Sequence, residues 1–191
     1  MRRRAFDQIV SWVGALVTVA LLVAGSLMTW GYLFTNSQVH NELAAQQISF
    51  PPAGSQALAS PDIGPFLNRY AGQQLVTGAQ ARAYADHFIA VHVKEIAGGK
   101  TYAQVSAAAQ ADPTNTALAN QANTLFKGET LRGLLLNAYA FWKIGQLALL
   151  GAIAAFGMAV MAAALTVLGF RHARKVSPHT TLLMPAVPAA A

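Results

Sequence analysis

Two long stretches of the chain carry no charge. No Asp, Glu, Lys or Arg occurs in 8–41 or in 144–170. Within them, the apolar runs 9–34 and 144–170 each exceed the roughly 20 residues of helix that cross a bilayer core of about 30 Å. They predict two transmembrane helices. The first run is too long for the apolar core of a cleaved leader, which spans about 7–15 residues. We therefore expect an uncleaved anchor. Trp12 and Trp30 lie 18 residues apart, about 27 Å along a helix. That separation suits a pair of interfacial aromatic belts. Tyr139, Phe141 and Trp142 would mark the outer rim of the second span, and Phe170 its inner end.

The segment between the runs, 35–143, reads as helical. The first helix is expected to continue to about residue 47. Pro51, Pro52, Pro61 and Pro65 then break it, because proline cannot continue a helix interior. A short helix is expected around "PFLNRYAGQQL". Two capping boxes follow, "TGAQ" with Thr77 and Gln80 and "TYAQ" with Thr101 and Gln104. Gly98 and Gly99 supply a stop between them. Helices are thus expected over about 78–97 and 102–111. After "ADPTNT" comes another over about 115–127, ended or bent at Gly128, and then one unbroken helix over about 129–174. Its leucines, Leu134 to Leu136, are expected to be covered by the first helix around Val39 and Leu43. The tail "SPHTTLLMPAVPAAA" is expected to be disordered.

Charge adds orientation. Arg2, Arg3 and Arg4 precede the first run, and Arg171, Arg174 and Lys175 follow the second. The two ends carry six basic residues and one acid, Asp7, whereas 35–143 carries seven basic residues and six acids. Positive charge beside spans stays cytoplasmic. The prediction is a plasma-membrane protein with both termini inside. It comprises an N-terminus 1–8, spans 9–34 and 144–170, an extracytoplasmic domain 35–143 and a tail 171–191. The basic ends would meet anionic headgroups of the bilayer. No basic face with interleaved aromatics points to nucleic acid. The chain has no Cys, which removes disulfide and thiol chemistry.

One stretch, "ADHFIAVHVKE" over 85–95, concentrates groups able to do chemistry. On a uniform helical wheel His92 falls in the apolar arc beside Phe88, with Glu95 about 60° away. A buried His92 is expected, paired with Glu95 or with a group on another helix. Asp86, His87 and Lys94 fall on the opposite arc, where His87 should be solvated. His87 and His92 are five positions apart and do not share a face as an i,i+4 metal pair does. The sequence "GGKT" at 98–101 lacks the first glycine of a phosphate loop, since position 94 is Lys94. No nucleophile elbow, dinucleotide fingerprint or close carboxylate pair is present. No catalytic, cofactor or metal residue is assigned, and an enzyme is not expected.

Gly151, Ala155, Ala159 and Ala163 recur every four residues. This small-residue stripe is a candidate helix-packing face, against the first span or a second copy. The blocks "YAGQQLVTGAQARAYADHFIAVHVKEIAGGKTYAQVSAAA" and "LFKGETLRGLLLNAYAFWKIG", with the element Phe50-Pro51-Pro52, resemble a family of uncharacterised actinobacterial two-span membrane proteins. The resemblance covers most of 1–175. It implies location and architecture, with no activity attached. The expected fold is all-α: two transmembrane helices extended into a helical extracytoplasmic domain. The expected role is a non-enzymatic accessory or scaffolding component of a plasma-membrane or cell-envelope assembly, with a membrane-protein partner or homo-oligomer. The alternative is an extracytoplasmic ligand-binding or sensory module acting through a partner.

Overall fold

The structure, a computed structural model, describes residues 2–177. The remainder of the tail expected to be disordered lies outside the described residues. Every regular element among them is helical. These are α1 (Arg3–Ala45), α2 (Gly64–Leu67), α3 (Gly78–Tyr84), α4 (Ala90–Ile96), α5 (Tyr102–Ala111) and α6 (Thr116–Lys175). Single 3-10 turns occupy Gln56–Leu58 and Asn68–Tyr70, and a π turn, Ala85–Ile89, joins α3 to α4. The proline-rich segment pairs briefly with the stretch before α3. Phe50 N–H donates to Gln73 O (2.9 Å) and Leu75 N–H to Ile48 O (2.8 Å).

Local chemistry sets the helix ends. Both capping boxes form. The Thr77 hydroxyl accepts from Gln80 N–H, and the Thr101 hydroxyl accepts from Gln104 N–H. The Gln80 and Gln104 side-chain oxygens return the bond to Thr77 N–H and Thr101 N–H. After α4, Gly98 and Gly99 take left-handed φ of 59° and 79°, a conformation open to glycine at little cost. Gly128 does not end a helix, one of the two outcomes expected there. It lies inside α6, where a methyl group would fall 2.5 Å from Val93 Cγ2. This glycine makes room for a neighbour, and the hydrogen-bond ladder passes through it.

The chain forms two compact units, one of residues up to Gly31 and from Leu147, the other Tyr32–Gln146. In the first, small residues meet closely. Ala152, Ala155 and Ala159 are buried, a side chain at Gly25 would strike the Phe156 ring, and one at Gly169 would strike Ser11 Oγ. Trp12 meets Phe170 edge-on at 5.7 Å. In the second unit, Phe50, Leu58, Ile63, Leu67, Leu75 and Leu135 share one core with Val39 and Leu43. A smaller cluster joins Ala97, Val105 and Leu125. Of the three leucines expected to be covered, Leu135 is buried and Leu136 half-buried, but Leu134 is 62% exposed. Three consecutive helical positions span about 200° of the surface, too wide an arc for one neighbour to cover.

Candidate functional site

The chemistry-bearing side chains of unit 32–146 gather around the π turn. A π turn bonds i to i+5, takes in an extra residue, and often marks a functional site. It therefore shifts every later residue off a uniform wheel. Tyr84, Phe88 and His92 form a ladder along this helix, with ring centroids 4.7 and 4.5 Å apart. Phe50 and Tyr70 extend it, with Phe50 5.3 Å from Tyr84 and 5.2 Å from Tyr70. Burial pushes the Tyr84 phenol above its ordinary pKa of 10.0. The ladder leaves the opposite side of the π turn to polar groups.

His87 does not stand free in solvent. Its ring lies flat on Phe66, centroids 3.5 Å apart and planes 4° from parallel. Both rings are partly exposed, so the stack is a wall. On one side is a shallow groove of about 650 Å³ with Asp62, Lys94, Glu95, Gly98 and Gly99. On the other is a cavity of about 320 Å³ with Arg69, Tyr70, Arg82, Asp86 and Tyr139.

The second cavity is built around Arg82. Its Nη1 donates to the Tyr139 hydroxyl at 2.8 Å, its carbon Cζ lies 4.9 Å from the Tyr139 ring centroid, and its Nε is 3.5 Å from Asp86 Oδ2. The hydrogen bond to Tyr139 is the main reason that Arg82 is held still more firmly protonated than usual, and Asp86 acts in the same direction. Asp86 is shared, because Arg132 Nη2 approaches its Oδ1 at 3.7 Å. Arg132 also meets Glu129 at 3.4 Å. These pairs are partly exposed, and such pairs contribute about 0–1 kcal/mol each. The arrangement therefore orients guanidinium groups more than it stabilises the fold. Arg69 repeats the Arg–Tyr pairing, with Cζ 4.8 Å from the Tyr70 ring centroid.

The expected buried pair is corrected. His92 is only half-buried, its Nδ1 lies 2.7 Å from Phe88 O on its own helix, and Glu95 is exposed. The π turn before them shifts the helical phase, so that Glu95 is exposed while Val93 and the C-cap Ala97 of the same helix pack in the smaller cluster. His87, expected to be solvated, is half-buried for the reason above. In the first unit, Ala155 and Ala159 of the small-residue stripe are buried, while Gly151 and Ala163 are half-buried. A strict four-residue repeat drifts about 40° per step on a helix of 3.6 residues per turn. The contact line consequently leaves the stripe at both ends, passing through Ala152 and Ala173. Arg2, Arg3, Arg171, Arg174 and Lys175 are exposed and Arg4 is half-buried. Among the described residues no group of three or more His, Cys, Asp or Glu is placed to hold a metal.

Sequence reasoning missed the Arg82–Tyr139 bond, the Arg132–Asp86 pair and the Phe66–His87 stack. The Arg82–Asp86 pair at i,i+4 spacing and the Glu129–Arg132 pair at i,i+3 did have a local signal. Comparisons with protein-family models, with curated proteins and with solved structures find no match.

Proposed function

We propose that the chain is a two-span plasma-membrane protein that carries the helical domain 32–146 on the outer side, keeps both termini in the cytoplasm, and acts as a non-enzymatic scaffold or accessory subunit. One observation carries the membrane part. The most apolar stretches of α1 and α6 are only 11% and 17% buried. Val10, Leu16, Val23, Ile153, Val160 and Leu165 are all more than half exposed. The core helix of a water-soluble protein would hide such a surface, and contiguous apolar patches of this extent are rare in water. Hydroxyls on α1 also answer their own helix. Ser11, Thr18, Ser26 and Thr29 each donate to the carbonyl four residues back, at 2.7–2.8 Å. Such bonds suit a helix surrounded by lipid, where no water is at hand.

The scaffold part is supported by an apolar groove of about 460 Å³ in unit 32–146. Its lining includes Phe34, Leu134 and Phe141, each more than half exposed. The cysteine-free chain makes the test direct. Lys100→Cys should react with a membrane-impermeant maleimide in intact cells, and Arg174→Cys only after permeabilisation. The reverse pattern would end this topology. For the scaffold role, a stable membrane-protein partner should co-purify in mild detergent, and Leu134→Glu should release it. Purification as an isolated monomer would end that role.

A further inference from the structure

The geometry points to an oxyanion-binding site in the 320 Å³ cavity beside the π turn, one that takes a phosphate group through Arg69 and Arg82. This goes beyond the scaffold role and does not require the proposed topology. Two guanidinium groups from separate elements line one cavity. Each is held over a tyrosine ring, at 4.8 and 4.9 Å, which fixes a cation without neutralising it. Arg69 makes no ion pair among the described residues. Arg82 uses Nη1 on Tyr139 and Nε on Asp86, which leaves Nη2 to donate. The Tyr139 hydroxyl accepts from Arg82 and so keeps its own proton to donate into the same space. His87, on the wall, adds a further ring nitrogen.

The one opposing charge is Asp86, which also lines the cavity. Its carboxylate is divided between Arg82 and Arg132, and Arg132 does not line the cavity. Asp86 is therefore compensated from behind, and the cavity keeps an excess of positive charge. Planar guanidinium forks match the oxygens of phosphate, and charge-assisted bonds of this kind are the strong ones. A tetrahedral phosphate also presents more oxygens to two separate guanidinium forks than a planar carboxylate does. Two sources fit: a soluble phosphate ester, or the headgroup of a phospholipid.

The test uses the full chain in detergent, titrated with inorganic phosphate by calorimetry, and the same chain in nanodiscs of phosphatidylcholine with or without phosphatidylglycerol, read by native mass spectrometry of retained lipid. Saturable phosphate binding that Arg69→Gln weakens at least tenfold is expected for a soluble ligand. Selective retention of phosphatidylglycerol, lost in Arg69→Gln, is expected for a headgroup. Among the described residues Arg69 makes no side-chain hydrogen bond or ion pair, and its contact with the Tyr70 ring is at the surface, so this variant should melt close to the wild type. Arg82→Gln should give the same loss, with a melting scan to separate misfolding from lost binding. No binding in either setting, or binding that both variants leave intact, overturns the proposal.

Discussion

The two units bury opposite kinds of side chain. In the unit of residues up to Gly31 and from Leu147, the interior is Ala152, Ala155 and Ala159, and the large apolar residues face outward. In unit 32–146 the interior is Leu67, Leu75 and Leu125, each 0% exposed, and the polar residues face outward around the π turn. Water forces the second arrangement, because burying large apolar side chains is the main gain of folding there. A medium as apolar as leucine removes that gain, and helices then approach through small residues that permit close packing. The same chain applies both rules, the contrast that the proposed membrane location of the first unit would produce.

The largest effect should come from breaking the water-type interior. Leu75→Ala removes a fully buried side chain and should cost about 2–5 kcal/mol. A thermal or protease-resistance scan of the detergent-solubilised protein would read this as early loss of unit 32–146. The matched change in the other unit, Leu165→Ala, removes a side chain that is 70% exposed and should change the same scan by less than about 0.5 kcal/mol. Equal losses would mean that Leu165 is covered, and the contrast between the units would fail. Ala159→Leu comes next. Ala159 is 1% exposed, and added methylenes at such a position force backbone shifts worth about 1–3 kcal/mol. The same substitution at the exposed Ala164 should be silent. Sensitivity at both positions would remove the small-residue interface.

A smaller effect is expected at the cap of α3. Thr77→Ala leaves Gln80 N–H without its acceptor and should cost about 1 kcal/mol, seen as faster amide exchange at 78–84. Thr77→Ser should restore protection, since the hydroxyl and not the methyl does the capping. Unchanged exchange in Thr77→Ala would mean that packing against Trp142, which lies directly over Gly78, fixes this helix end alone.

That cap was legible in the sequence because it is local: a hydroxyl and an amide three residues apart need no knowledge of the rest of the fold. The two long apolar helices were legible from length and absence of charge, and the loop around Pro51 and Pro52 from missing N–H groups. The candidate site was not. The five residues of the π turn have no composition that separates them from an α-helix, so the wheel was wrong in phase for His87 and Glu95. Arg82 and Tyr139 are 57 residues apart, and only the folded chain brings them together. That Gly128 does not end its helix was not legible either, because a glycine that stops a helix and one that admits a neighbour look the same in one dimension. Its reason is Val93, 35 positions earlier.

The smallest expected effect tests how dry the aromatic ladder is. Tyr84 packs on Phe50 and Phe88, and burial raises its pKa above the ordinary 10.0. The folded form thus holds the phenolic proton more tightly than the unfolded chain. Stability linked to Tyr84 is then fully present below pH 10 and is lost as pH rises through the raised folded value. The slope of wild-type stability alone would not identify the group. Tyr84→Phe keeps the ring and removes the titration. Between pH 8 and 9 the two proteins should melt within about 1 °C per few tenths of a kcal/mol of lost or gained hydroxyl solvation. Above pH 10 the wild type should fall away more steeply than Tyr84→Phe. Parallel curves across the whole range would mean that the Tyr84 hydroxyl reaches water, and that the ladder is a surface stripe rather than the dry side of the π turn.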